Sequence, residues 1–593
     1  MADFKAVIIT KKGQSLMAKL MSGTGGVEFT RIAVSDSQYA DSQLEGLTAL
    51  GSIRQSAPVS RVRKTNDVAV EVQASVSNEQ LVAGYYMRTL GLYAKDPDEG
   101  EVLYAVCSAH TAGYMPPFNG KTTSGAFFRL TTTVGNASNL SLKVNPAAVA
   151  TVGDIVDLQS QIDDMRSTIG YNADDIYGVE IDYVNRTFKR LAGAENRTPG
   201  KAFDGLIPWQ RRRCILADDG TVLAYRGEAG YTETGATTTA LTVNGVTYQA
   251  GTQAQVMVEQ PRFYYRAVPL VTEKIDGYDG YHMRKARYYV SATPHAGFKV
   301  HPAFVADGKE LDKVYMSAYE ACLYDTSAKT YNLTDEQNGD FTASTGDKLS
   351  SIAKAKPVSG QTQNANIDAY RRTAHNRGIG WELDLIQTLS ATQLLFMVEY
   401  ASLNSQEAIA DGRCHITDDA KSNLAALTGA TASLGDASGS DSATGSVSYR
   451  GQENLWGDIY SVTDGLNAYS ADGSGDWYVA DHGFDSKKKD GQYTHVGFKM
   501  IGKKGDNSGG YISAFGYDPD FDWLFLGTDV KGDSHLPVGD PFVVNANLGW
   551  HAFGSGSEWD GSASAGLFRL DGSGGVSAHR RSGGARLTYR NTK

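Results

Sequence analysis

The chain is 593 residues long, with a formal net charge of -11 and a sequence pI near 5.5. That length exceeds the roughly 250 to 300 residues at which one hydrophobic core stops growing, so more than one domain is expected. The acidic balance excludes a protein held to nucleic acid by phosphate neutralisation, and no stretch reaches the ~18 apolar residues of a membrane-spanning helix.

The 65 glycines and 32 tyrosines, beside 21% charged residues, describe a loop-rich chain of mostly β character. Cys107, Cys214, Cys322 and Cys414 lie about a hundred residues apart with no Cys-x-x-Cys pair, which argues against a disulfide framework or a zinc knuckle. The opening residues Met1 to Lys5 carry no secretory signal pattern. Both features fit a protein made in the cytosol.

Val68 to Val76 (V-A-V-E-V-Q-A-S-V) alternates at period two, the pattern of a half-buried strand. Further strands are predicted at Tyr85 to Ala94 and Val102 to Ser108, separated by the turn-rich residues 95–100. Residues 1–150 therefore read as a β-domain. The run from Met87 to Ala94, the acidic turn and Glu101 to Ala105, with the opening F-K-A-V-I-I-T-K-K-G from Phe4, resembles the N-terminal domain of phage tail-collar fibre proteins. The resemblance implies a virion tail protein, made in the host cytoplasm, whose first domain binds phage baseplate proteins.

Ile155, Leu158, Ile162, Met165 and Ile169 recur at spacings of three, four, three and four, an a/d seam with polar residues between. Residues 151–170 are expected to form a short coiled coil, and isoleucine at both kinds of seam position leans toward a homotrimer. So short a helix is marginal alone, so the seam would register chains held together by their neighbours. One amphipathic helix packed on a domain is the alternative. Residues 171–200 are read as a neck or linker.

Beyond it the chain is aromatic and strand-rich, with a hairpin signal at Asp219-Gly220 and strands at Val256 to Val258, Arg262 to Tyr265 and Arg287 to Val290. One helix is predicted from Ile367 to a glycine stop at Gly378. A second is predicted to open at Ser390, where S-A-T-Q has the form of a capping box, and to bury Leu394, Leu395, Met397, Val398 and Ala401. Residues 431–447, rich in Gly, Ser and Ala, read as a flexible surface loop.

Val314 to Glu320, the helical region Trp381 to Ser405, Glu453-Asn454-Leu455-Trp456-Gly457-Asp458-Ile459-Tyr460 and the terminal Gly583-Gly584-Ala585-Arg586-Leu587 follow one another in a significant order. The succession resembles the C-type-lectin-like domain of formylglycine-generating enzymes and of the diversified receptor-binding proteins of phages. The expected fold class is α+β and mostly β: an N-terminal β-domain, a short coiled coil, and a C-type-lectin-like domain with long insertions over residues 201–593. The enzymatic branch of that family needs cysteine chemistry, and no cysteine follows Cys414, so a non-enzymatic adhesin is expected.

In the binding branch the resemblance places ligand-facing residues just before the terminal glycine-arginine motif. Here that window holds Trp550, His551, Phe553, Ser555, Ser557, Glu558, Trp559, Asp560, Ser562, Arg569, Asp571, His579, Arg580 and Arg581. Aromatics set among glycines and serines give rigid contact area beside adaptable hydrogen-bonding groups, which suits a host cell-surface glycan or protein receptor. The alternative is that Trp550 and Trp559 are core residues. Diversification of the window by a retroelement is a further expectation of the resemblance.

Two other readings compete. A polysaccharide-cleaving tailspike would use paired carboxylates, with candidates in Asp518, Asp520 and Asp522 and around Asp481 and His482. A structural baseplate or fibre component without its own receptor would have a blander C-terminus. The aspartates permit calcium, but no loop has the D-x-D-x-D-G spacing, and no metal or other cofactor is expected.

Overall fold

The computed structural model describes residues 3–21, 27–66, 69–120, 124–134, 162, 171, 175–332, 338–417, 422–470, 475–485, 493–500, 507–545 and 549–591. It divides into two compact units, Met1–Ile162 and Asp163–Lys593. The predicted seam falls almost wholly outside the described residues, since of its five positions only Ile162 is among them.

The first unit carries helix α1 (Lys11–Met21) and seven main strands: β1 (Phe29–Ser35), β2 (Ile53–Pro58), β3 (Arg61–Asn66), β4 (Ala69–Ser77), β5 (Tyr85–Asp96), β6 (Gly100–Met115) and β7 (Gly125–Thr133). One sheet runs β6-β5-β1-β2, and a second runs β3-β4-β7. Period-two alternation turns Val70, Val72, Ala74 and Val76 of β4 inward, where they meet Ile32, Val34, Leu90, Leu92 and Tyr104 of the facing sheet. The acidic turn closes the β5–β6 hairpin with Asp96 opposite Gly100. Helix α1 lies so close to β6 that a Cβ on Gly13 would stand 2.1 Å from the Tyr104 carbonyl oxygen.

The second unit begins with β8 (Ile176–Asp182) and β9 (Thr187–Ala192), so the neck expected over residues 171–200 is instead built into a sheet. β8 pairs along its whole length with a later strand, which supplies the partners that a linker reading had left out. The strands that follow are β10 (Arg212–Leu216), β11 (Val222–Tyr225), β12 (Gln255–Pro261), β13 (Tyr264–Lys274), β14 (Tyr281–Ser291) and β15 (Lys313–Ser317). β10 and β11 form the hairpin announced by Asp219-Gly220. Then come α2 (Ile367–His375), β16 (Trp381–Leu383) and α3 (Ile386–Tyr400).

The remainder supplies β17 (Tyr460–Ser470), β18 (Gly475–Val479), β19 (Thr494–Met500), β20 (Asn507–Tyr511), β21 (Pro541–Asn545), β22 (Gly549–Gly556), β23 (Gly566–Gly572) and β24 (Leu587–Tyr589). Among the described residues these strands form three larger sheets. One contains β9-β8-β14-β13, a second runs β11-β10-β12-β15-β24-β16, and a third runs β19-β18-β17-β22-β23-β21-β20. The last described strand, β24, is therefore internal to its sheet.

Helix α2 starts at the predicted place, with the Asn366 side chain accepting from the Ala369 N–H. Helix α3 departs from prediction. It opens four residues before Ser390, behind Leu385, and no side chain caps it. Ser390 is interior, its hydroxyl donating to the Trp523 carbonyl, and Gln393 donates to the Leu567 carbonyl at 2.9 Å. Both members of the apparent capping box are thus used in tertiary contacts. The helix is buried on nearly every side, packing with Val179 and Tyr288 of one sheet and Leu466 and Trp477 of another. The stretch 431–447 is ordered as well: it contains a 3-10 turn (Ala432–Leu434), and the Asp436 carboxylate accepts from the Arg213 N–H at 2.7 Å.

Charged side chains tie these layers together. Arg450 donates through Nη2 and Nε to both carboxylate oxygens of Glu399 at 2.6 and 2.7 Å, and Gly200 N–H and the Tyr449 hydroxyl complete that carboxylate. A buried pair of this kind adds little net stability, but removing one partner strands the other. Glu399→Gln is expected to cost about 3 to 5 kcal/mol, read as a lowered urea midpoint, with Glu399→Leu/Arg450→Met less destabilised than either single charge removal.

Candidate functional site

The terminal motif and the Glu453–Tyr460 segment, distant in sequence, meet in the interior. Arg586 donates to the carbonyls of Glu453 and of Asn454, the latter at 2.9 Å, while Asn454 donates to Glu320 at 3.3 Å. Glu453 accepts from Gly429 N–H and from the backbone and hydroxyl of Thr431. Asp458 accepts from Arg413 at 2.7 Å and from Ala426 N–H. Burial, with Asp458 nearby, pushes the Glu320 carboxyl well above the usual carboxylate range. This cluster fixes the base on which the window stands.

The window itself is mainly interior. Trp559 is fully buried against Ala425 and Ile459, and Phe553 is buried with its ring 4.8 Å from that of Trp477. His551 is buried with Nδ1 at 2.8 Å from the Gly572 carbonyl, and Ser555 and Ser557 are buried too. These five are packing residues of the second unit, which corrects the expectation that they face a ligand together. His551, Phe553 and Ser555 occupy every second position of β22, on the face that packs inward, while Ser557 and Trp559 lie beyond its end. Trp550 is half-buried, Glu558 is half-buried with its carboxyl pushed up by burial, and Asp560, Ser562 and His579 are exposed. Arg581 lies with its guanidinium 5.4 Å from the Trp559 ring centre and donates to the Ser422 carbonyl.

Part of the window nevertheless lines a small open cleft of about 40 Å³. One wall is Asn366, Ile367 and Tyr370 at the start of α2; the other is formed by Tyr460, Val462 and Phe553 of the sheet with Asp571, Val576 and Arg580. Asp571 accepts from Ser573 N–H at 2.9 Å, the Ser573 hydroxyl at 2.6 Å and Arg580 at 2.8 Å, and Arg569, also buried, donates to the Tyr460 hydroxyl at 2.6 Å. Tyr370 donates to the Gly583 carbonyl at 2.7 Å. The cleft is thus a preformed, largely apolar recess with a fixed ion pair at its edge. Of the predicted residues it gathers Phe553, Asp571 and Arg580. Tyr460 stood in the sequence as the last residue of the anchor segment; Asn366 and Tyr370 belong to a helix that nothing in the sequence placed against the window.

The tailspike candidates are held by the fold. Asp518 accepts from Gly497 and Asp520 N–H groups, and Asp522 accepts from Lys299 and from the Tyr265 hydroxyl. Asp481 and His482 pair with each other at 2.5 Å. Among the described residues no group of three or more His, Cys, Asp or Glu side chains could hold a metal ion. The four cysteines are buried and unpaired, and burial pushes the Cys107 and Cys322 thiols up to about 12.

Residues 1–153 match the family model described as phage tail-collar fibre protein, N-terminal. The first unit is accordingly a tail-collar fibre N-terminal domain, which makes the chain a component of the phage virion tail. No curated protein matches it. No helix among the described residues is long and apolar enough to cross a membrane.

Burial alone would raise the Asp571 carboxyl, but Arg580 and the Ser573 donors outweigh it and hold the group below its ordinary 3.8. A carboxyl depressed in the folded state contributes stability that is complete above its ordinary value and lost as pH falls through the folded one. Asp571→Asn is therefore expected to lower the melting temperature at neutral pH and to flatten its decline between about pH 5 and pH 2, as followed by calorimetry.

Proposed function

We propose that this tail fibre protein is the adhesin that fixes the virion to its host, with the first unit on the tail and the second meeting the cell surface. The observation that carries the reading is the cleft walled by Phe553, Asp571, Val576 and Arg580 of the late window and by the start of α2. It is concave, apolar in its interior and framed by side chains whose rotamers are locked by hydrogen bonds, the properties of a site that binds without rearranging.

The second unit is read as a C-type-lectin-like scaffold. That reading is supported by the pairing of β15 with β24 and by the Arg586 anchor on the Glu453–Tyr460 segment, which join the motifs that suggested the resemblance. The protein acts by binding rather than by cleavage. Support comes from the acidic candidates, whose oxygens are engaged by backbone donors and by Lys299 and Tyr265. Three chains joined at the 155–169 seam would present three clefts, and tethered weak sites gain avidity by orders of magnitude without new contacts.

Val576 lines the cleft without being fully buried, so a larger side chain there fills the recess while leaving the core intact. Virions carrying Val576→Trp are expected to lose host adsorption while the purified chain keeps its melting temperature. Unchanged adsorption by such virions would assign the chain a structural place in the fibre instead.

A further inference from the structure

We propose that the outward face of the sheet formed by β17, β18, β19 and β22 is a second binding site, and that it takes an uncharged saccharide. The sheet has one inner face, where Ala468, Trp477, Val496, Phe498 and Phe553 are buried. Alternation along the same strands sends Tyr469, Asp476, Tyr478, His495 and Trp550 to the other side. In register, Tyr469 stands opposite both Trp550 and Asp476, and Tyr478 opposite His495.

The rings form a continuous shelf. Centroid separations are 5.1 Å for Tyr469 and Trp550, 5.5 Å for Trp550 and Tyr478, and 5.4 Å for Tyr478 and His495. Tyr478 is the buried floor; Tyr469 is 39% exposed, Trp550 is half-buried and His495 is exposed. An exposed tyrosine packed on a half-buried tryptophan offers a rigid apolar surface, and the C–H face of a pyranose ring matches such a surface in size and polarity.

The shelf runs directly into an open recess lined by Lys274, Tyr278, Asp279, Asp476 and His495, with Asp276 beside them. Tyr278 donates to Asp476 Oδ1 at 3.0 Å, and His495 Nε2 lies 3.6 Å from the same oxygen. Lys274 donates to the Asp279 carbonyl at 2.5 Å. Carboxylates bordering a stacking surface accept hydrogen bonds from sugar hydroxyls. The charge balance among the described residues selects among sugars: Asp276, Asp279 and Asp476 outnumber the ammoniums of Lys274 and of Lys499, which stands opposite Asp476 in register, so phosphorylated, sialylated or uronic saccharides are repelled and neutral hexoses or N-acetylhexosamines admitted. The shelf is separate from the cleft. It shares no lining residue with it, and its occupancy does not depend on the cleft being the receptor site.

The test is binding of the full-length chain to an immobilised array of neutral, amino-bearing and acidic bacterial saccharides, beside Tyr469→Ala, Trp550→Ala, Asp476→Asn and Val576→Trp. Retention on neutral saccharides is expected, weakened about tenfold in Tyr469→Ala and Asp476→Asn and unchanged in Val576→Trp. Tyr469 is exposed enough for its variant to fold, so the test stands even if Trp550→Ala does not. An array on which nothing binds, binding confined to acidic saccharides, or binding indifferent to Tyr469→Ala overturns the proposal. A silent array together with host adsorption that Val576→Trp abolishes would remove the shelf and leave the cleft in place.

Discussion

The second unit depends on the insertion of β24 between β15 and β16. Ser317 of β15 accepts from the Leu587 N–H at 2.8 Å and donates to its carbonyl, and one residue earlier Arg586 reaches the Glu453 and Asn454 carbonyls. An internal strand must satisfy donors and acceptors on both sides, so β24 fixes the spacing of two strands and the level of the Glu453–Tyr460 segment at once. The cleft inherits that geometry, because Gly583 and Tyr460, which pair with each other just before β24, both line it.

Buried charge serves the same end elsewhere. Arg450 with Glu399, Arg371 with Asp464 at 2.7 and 2.8 Å, and Arg413 with Asp458 each join elements far apart in sequence. Such pairs yield modest net stability once desolvation is counted, but a wrong register leaves a charge buried alone. Long connecting segments raise the risk of misregister in this unit, and the pairs penalise it. The same logic explains why the loop 431–447 is ordered despite its composition: Asp436 and the backbone at Gly429 and Thr431 are drawn into contacts with Arg213 and Glu453.

Legibility in the sequence followed the range of the interactions. Where pattern and partner lie within one hairpin, as at Tyr85 to Ser108 or around Asp219-Gly220, strand and turn were both readable. Helix α2 was readable because its pattern and the glycine that follows it at Gly378 are local, although it ends three residues earlier, at His375. Ser390 and Gln393 imitated a local cap but serve tertiary contacts. The window misled in a related way, since glycine and serine around an aromatic read as an exposed loop. Here Gly572 is small because the Phe553 ring occupies its place: a Cβ would stand 2.2 Å from Cε1. That approach joins two strands, and no single-strand pattern reveals it. Tyr469, Asp476 and His495 carried no signal because their proximity is created by cross-strand register alone.

The internal place of β24 has a consequence for biosynthesis. Ser317 leaves the ribosome 270 residues ahead of Leu587, its partner. At roughly 5 to 20 residues per second this interval lasts roughly 15 to 50 s, during which the β15 edge waits unpaired. Completion of the second unit is thus tied to the arrival of Leu587, so a nascent polypeptide that has not reached it carries no finished copy of that unit.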